Sequence, residues 1–221
     1  MAATQRLFDQ RPYDDKFTAV VTEIADDYII LDRTLFYPLS GNQEFDAGTL
    51  NGQTVTAVYV DESEDGRLAL DAPIKHYVEN PGAFNIGQPV EGIIDRERRL
   101  RTMRLHTASH LVEQFITALP GYLSTEGSFV NQEKDRTDYR MSANIDADGL
   151  AVLESQINDY IAAGHPVTFS VENGVRTWQC HGVEMPCCGT HVANISEIGR
   201  VQLSRKNKGK GVNRIETRLV D

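Results

Sequence analysis

Two pairs of side chains, far apart in the sequence, have the types and spacing to meet on one metal ion. His106 and His110 are four residues apart, and Cys187 and His191 repeat that offset within Pro186-Cys187-Cys188-Gly189-Thr190-His191. On a helix, residues i and i+4 stand one turn apart on the same face, so two imidazoles so placed can reach a common ion. In the second segment Gly189 permits a tight backbone turn that brings a sulfur and a ring toward one point. Imidazole with thiolate is the donor set that zinc prefers. Spacing alone leaves Cys188, three residues from His191, as an alternative sulfur. Either pair by itself is a weak signal; both together in a chain with only six histidines carry weight.

The chemistry of such an ion stays open at this level. Thr107-Ala108-Ser109 separate the two histidines, so no glutamate stands beside the first, where a metalloprotease helix carries its general base. Four protein ligands also fill a tetrahedron, as in structural zinc sites. Two readings remain, a structural zinc and an ion that positions a substrate. Disulfide chemistry is disfavoured, because Cys180, Cys187 and Cys188 are an odd set within nine positions, and adjacent cysteines suit an ordinary bridge poorly.

The elements that must position these residues follow from periodicity. From Asp95, a predicted N-cap, to Leu119, apolar residues recur at Leu100, Met103, Ala108, Leu111, Val112, Phe115 and Leu119, which predicts a helix ended by Pro120-Gly121. His106 and His110 lie off that stripe, with Thr102, Glu113 and Thr117. A second helix is predicted from Asp148 to Ala163, with Leu150, Leu153, Ile157, Tyr160 and Ile161 on one face and Gly164 and Pro166 as stops. Ser128–Asn131, Asp138–Ile145, Val167–Val171, Arg200–Ser204 and Asn213–Val220 read as strands. Before Asp95 the pattern is β: Phe17–Ile24, Tyr28–Asp32, Thr54–Val60, Arg67–Leu70 and Pro89–Asp95. Asn51-Gly52 between strand-like flanks marks a hairpin, Asp65-Gly66 another turn, and His76–Gly87 a loop. The expected class is α+β: a small barrel or sandwich over residues 1–95, then an α+β domain over 96–221 with an antiparallel sheet and flanking helices.

The 221 residues are 40% hydrophobic and 24% charged, which suits a globular chain. No apolar run approaches the ~18 residues of a membrane span, and the first eleven residues lack a hydrophobic signal core. No membrane and a cytoplasmic location are therefore expected, and no obligate protein partner is evident. The net charge of −10 speaks against nucleic acid, but its distribution does not. Five arginines lie between Arg96 and Arg104, and seven basic residues between Arg200 and Arg218. Two local basic stripes can hold a polyanion on an acidic protein, although solvated surface charge reads equally well.

The segments His106-Thr107-Ala108-Ser109-His110-Leu111, Gly127-Ser128-Phe129-Val130, Pro186-Cys187-Cys188-Gly189-Thr190-His191-Val192 and Ser196-Glu197-Ile198-Gly199 resemble the editing domain of alanyl-tRNA synthetase. Leu31-Asp32-Arg33-Thr34-Leu35-Phe36-Tyr37-Pro38, with Ser40-Gly41-Asn42-Gln43, resembles the translation-protein barrel that precedes it. Similarity spans nearly the whole chain and leaves no room for an aminoacylation domain, so the chain resembles the free-standing AlaX editing proteins of medium length. The resemblance implies a zinc-dependent aminoacyl-tRNA deacylase, with alanine tRNA mischarged with serine, or with glycine, as partner and substrate. An alanine pocket rejects one methyl fewer or one hydroxyl more by only about 1–3 kcal/mol, so a second, hydrolytic site is needed for fidelity. A non-catalytic tRNA-binding module with a structural zinc is the alternative.

Residue by residue, the resemblance implies zinc ligands at His106, His110, Cys187 and His191, choosing Cys187 over Cys188. Cys188 departs from the family's Gly-Gly at this point and leaves a spare thiol. Thr125 matches a hydroxyl linked to recognition of the seryl side chain, and Glu126 stands where Gln is common; both are candidate catalytic-site residues. In the barrel loop Gly41-Asn42-Gln43, Asn42 replaces the family's second glycine. Lys206, Lys208, Lys210 and Arg214 lie in a run that resembles the family's glycine-rich loop, and with Arg98, Arg101 and Arg104 are expected to contact tRNA.

Overall fold

The computed structural model describes residues 3–61 and 70–220. Two compact units are distinguished, one comprising Met1–Leu100, Glu172–Val175 and Cys188–Thr190, the other Arg101–Val171, Arg176–Cys187 and His191–Asp221. The class is α+β, as the periodicity predicts.

The first unit is built on a closed antiparallel barrel. Short β1 (Gln5–Arg6), α1 (Leu7–Gln10) and β4 (Arg33–Thr34) flank it. Its strands are β2 (Lys16–Ile24), β3 (Tyr28–Leu31), β5 (Gly48–Leu50), β6 (Gln53–Val60), β7 (Ile74–Val78) and β8 (Pro89–Ile94), in the order β2-β3-β7-β6-β5-β8. Closure leaves no strand edge exposed. Alternate residues, among them Phe17, Ala19, Val21, Leu50, Val55, Val58, Val90 and Ile94, fill the interior. Asn51 and Gly52 both take positive φ, 48° and 80°, the left-handed pair that a two-residue hairpin requires. Gly92 is needed for packing, because a Cβ there would stand 2.1 Å from the Phe17 ring on the adjoining strand.

The expected loop over His76–Gly87 is corrected. His76 belongs to β7, where Ile74, His76 and Val78 point inward. Its Nε2 lies 2.8 Å from Thr34 Oγ1, and full burial lowers its pKa to about 4. A polar residue at an inward position broke the alternation in the sequence and hid the strand. The expected strand from Arg67 and the turn at Asp65-Gly66 lie outside the described residues, apart from Leu70.

The second unit takes most of α2 (Arg96–Thr117). Asp95 accepts a hydrogen bond from Arg98 N at 3.0 Å, as an N-cap should. After it come β9 (Tyr122–Val130), β10 (Asp135–Met141), α3 (Ala147–Ala163), β11 (Thr168–Glu172), β12 (Val175–Cys180), β13 (Val183–Pro186), β14 (Arg200–Asn207) and β15 (Val212–Val220). One antiparallel sheet runs β14-β15-β10-β9, and a smaller one β11-β12-β13. Helix α3 starts at the N-cap Asp146, ends at Gly164 (φ 69°), and buries Leu153, Ile157 and Ile161. It also covers the free edge of β14: Asn158 bonds both Val201 N and Val201 O at 2.9 Å, and Glu154 accepts from Leu203 N at 2.8 Å.

Three boundaries shift. β9 begins at Tyr122 rather than Ser128, so Thr125 is a strand residue opposite Tyr139. β10 runs from Asp135 and stops at Met141, because the inward set is Asp135, Thr137, Tyr139 and Met141. The β12–β13 hairpin was not expected at all. Among the described residues no helix is long and apolar enough to cross a membrane.

Candidate metal centre

His106 and His110 come from the middle of α2, and the face they occupy is not a solvated one. They are 6% and 7% exposed, and Thr102, Thr107 and Ser109 around them are buried too. Cys187 follows β13 directly, and His191 ends the turn beyond it. Backbone pairing fixes the start of that turn: Cys187 N donates to Arg176 O, and the Arg176 guanidinium donates to Cys187 O, each at 3.0 Å. The same guanidinium stacks over Phe169, 3.6 Å from the ring centroid.

Four ligand atoms, one each from His106, His110, Cys187 and His191, all lie within 4.8 Å of one another. Cys187 Sγ stands 3.2 Å from His191 Nε2 and 3.7 Å from His106 Nε2. The three imidazoles are 4.3–5.0 Å apart by centroid, and Trp178 abuts His110 edge-on at 4.8 Å. Cys187, not Cys188, supplies the sulfur; Cys188 offers its carbonyl to Arg6 at 3.5 Å.

Electrostatics keep the rings in the form a metal needs. Burial, then the charge of Arg176, lowers the His106 pKa to about 3. Burial, followed by the neighbouring histidines, holds His110 and His191 well below the usual range. Neutral imidazoles present lone pairs rather than protons. Thr107 decides which lone pair His191 presents. Its hydroxyl donates to Met103 O at 2.8 Å, so it can only accept from His191 Nδ1 at 3.1 Å and from Val192 N at 3.2 Å. His191 therefore carries its proton on Nδ1 and turns Nε2 toward the sulfur, the arrangement typical of a metal-bound histidine. The cluster is thus a set of three buried imidazoles and one half-buried sulfur that could hold a metal ion.

The other predicted residues are scattered more widely. Thr125 Oγ1 donates to Glu113 Oε1 at 3.2 Å and lies 3.0 Å from Tyr122 OH. Glu126 is the extra residue of a β9 bulge between the Gly127 and Thr125 pairings. It is exposed, bound to Arg140 at 2.8 Å and to Ser124 at 2.6 Å, and these hydrogen bonds hold its carboxyl down to about 2. In the barrel loop Gly41 and Asn42 take positive φ, 53° and 61°, so asparagine adopts here the backbone that a glycine would. That turn presents fully buried Gln43 to Thr190: its amide oxygen accepts from Thr190 N and its amide nitrogen donates to Thr190 Oγ1, both at 3.0 Å.

Of the predicted cations, Lys208 and Lys210 are exposed at the tip of the β14–β15 hairpin, whose Lys210 carbonyl accepts from Arg140 at 3.1 Å. Lys206 is bound to Glu216 at 2.8 Å, and Arg214 grips Asp138 through two bonds of 2.7 Å. Arg98 pairs with Glu44 at 2.6 Å, while Arg101 and Arg104 donate to the carbonyls of Gln132 and Ile198. Arg99, counted in the first stripe, is no surface charge: it is buried against Asp46 and donates to Leu35 O and Pro12 O.

Several neighbours of the centre escaped the sequence reading. Thr107, Trp178 and Arg176 were not singled out, nor was Asp135, whose carboxyl burial pushes up to about 7. Asn173-Gly174, with φ of 51° and 75°, carried the same hairpin signal as Asn51-Gly52 and could have revealed β12 and its Arg176 and Trp178.

Residues 4–98 match the model of class II (A) tRNA synthetases, and residues 179–216 that of the second additional domain of threonyl and alanyl tRNA synthetases. The chain is 35% identical over 217 residues to the alanyl-tRNA editing protein AlaX-M of Pyrococcus horikoshii, covering 96% of each. It is 32% identical to AlaX-M of Methanosarcina barkeri, over 99% of this chain and all of the relative. A match to alanine–tRNA ligase of Methanoregula boonei, also 32% identical, takes in 96% of this chain but 25% of the ligase. With nearly full-length similarity to free-standing relatives, the chain belongs to the AlaX-M family of alanyl-tRNA editing proteins.

Proposed function

We propose that the protein hydrolyses, in trans, the ester that links serine, and secondarily glycine, to alanine tRNA. The observation that carries this reading is the His106–His110–Cys187–His191 cluster, its three histidines buried, within a member of the AlaX-M family. We take the ion to be zinc. A tetrahedral zinc with ordinary bond lengths separates sulfur from nitrogen by roughly 3.5 Å, and the 3.2 and 3.7 Å separations here bracket that value. A bound zinc supplies a fixed positive charge that can anchor the aminoacyl group and polarise its carbonyl.

The chain's own residues account for the rest. Thr125 faces the aminoacyl side chain through its hydroxyl. Glu126 is held ionised by Arg140, so it is a poor proton acceptor and suits attraction of the substrate's α-ammonium group. Lys208 and Lys210, on a glycine-bearing hairpin tip, suit the tRNA backbone; Arg101 and Arg104 are further candidate contacts, as are Arg98, Lys206 and Arg214 once they exchange their carboxylate partners for phosphate. An aminoacyl ester is already activated, so holding it and a water in register supplies much of the acceleration.

Four protein ligands also favour a second reading, a tRNA-binding module whose zinc is structural. One assay separates them. Under the first reading the protein releases serine from seryl-tRNA, and His106→Ala or Cys187→Ala abolishes release; under the second it protects the ester. Full deacylation by metal-free protein would falsify a role for the ion in catalysis.

A further inference from the structure

We infer that Glu113 is a positioning residue that fixes the Thr125 hydroxyl as a hydrogen-bond acceptor toward the aminoacyl side chain; this rests on the functional reading above. Glu113 stands three residues beyond His110 on α2, hence on the same face of the helix as the two histidine ligands. Its Oε1 lies 3.2 Å from Thr125 Oγ1, which in turn lies 3.0 Å from Tyr122 OH. A carboxylate accepts and cannot donate, and a threonine hydroxyl has one proton. Thr125 therefore gives its proton to Glu113. Tyr122, whose contact with Thr125 must then run the other way, donates into Thr125. One lone pair of Thr125 Oγ1 remains, and no proton does.

A substrate side chain meeting that oxygen must bring its own donor. Serine brings a hydroxyl proton; alanine and glycine bring none. The chain Tyr122–Thr125–Glu113 thus makes the site respond to the one group by which a mischarged serine differs from the correct amino acid. Fixed polarity also keeps Thr125 from turning its proton toward the substrate, so the recognition is preorganised rather than adaptive. Sites built to pair a substrate hydroxyl discriminate far better than apolar pockets that merely exclude by size.

The test is the ratio of kcat/KM for seryl- and glycyl-tRNA, measured on metal-loaded wild type, Glu113→Leu, Thr125→Val and the double variant. Glu113→Leu is expected to lower the serine-to-glycine ratio about tenfold, the change that ~1.4 kcal/mol of hydrogen bonding produces. Adding it to Thr125→Val should lower the ratio no further, since both act through one hydroxyl. Where Glu113→Leu does not fold, Glu113→Gln keeps the volume but can offer Thr125 an amide proton, and the ratio falls about threefold. A ratio unchanged in these variants, with both substrates slowed in parallel, means that Glu113 merely supports the fold and overturns the inference alone. A wild type that releases neither amino acid defeats the functional reading and the inference together.

Discussion

Thr107→Val replaces a hydroxyl by a methyl of nearly the same shape beside the metal centre. Thr107 Oγ1 is the acceptor for two buried donors, His191 Nδ1–H at 3.1 Å and Val192 N–H at 3.2 Å. Valine leaves both without a partner, and each buried unsatisfied donor costs about 1–3 kcal/mol. The folded state should therefore lose roughly 2–6 kcal/mol, read as a lower urea midpoint at unchanged m-value. The separate consequence is at the ion. With no acceptor holding its Nδ1–H, His191 is free to change tautomer and tilt, and loss of such an outer partner weakens metal binding about 10–100-fold. Competition with a chelator of known affinity measures that term, under conditions where both proteins are folded. A metal affinity within about threefold of wild type, alongside the expected fall in stability, refutes the orienting role. Thr107 would then be an ordinary helix-to-loop brace.

Asp135 gives a prediction in pH. Burial raises its carboxyl to about 7; hydrogen bonds from Ser109 and Thr137 oppose this, the charge of Glu113 adds to it and that of Arg136 opposes it. A folded pKa above the unfolded value of 3.8 means that the folded protein binds the extra proton. The stabilisation is complete below pH 4 and is lost as pH rises toward 7, a change on the order of 4 kcal/mol. Relative to wild type, Asp135→Asn should gain stability between pH 5 and 7.5; parallel curves across that window count against it. At the hairpin tip, Lys208→Ala and Lys210→Ala should each reduce the slope of log affinity for tRNA against log salt by about 1, and an unchanged slope removes them from the interface.

Local chemistry made much of the fold legible. Asn51-Gly52, Asp95, Gly164 and Pro166 each declare a turn or a helix end through their own backbone preferences, and each holds in the structure. What stayed hidden were polar residues at inward positions. His76 masked β7, and Asp135 delayed β10, because period-two alternation is visible only when the inward residues are apolar. The centre divides in the same way. The spacing of His106 and His110 is a helical property and could be read directly, whereas the choice of Cys187 over Cys188 turns on the direction in which β13 delivers the chain. Thr107 shows the limit: nothing in its neighbours marks it as the partner of a histidine 84 residues away.

The candidate ligands of the centre come in two local pairs, and His106 and Cys187 are 81 positions apart along the chain. An ion shared by both pairs ties off a loop of that length. Cross-linking such a loop removes disorder from the unfolded chain worth roughly 4–5 kcal/mol if the link behaves like a disulfide. Each pair alone encloses almost nothing, so the gain arrives only when the helix and the distant turn are joined. An ion held there would be a clasp on the topology of the chain, and its removal would be felt first by the unfolded ensemble, which would regain the freedom of the segment from His106 in α2 to Cys187 after β13.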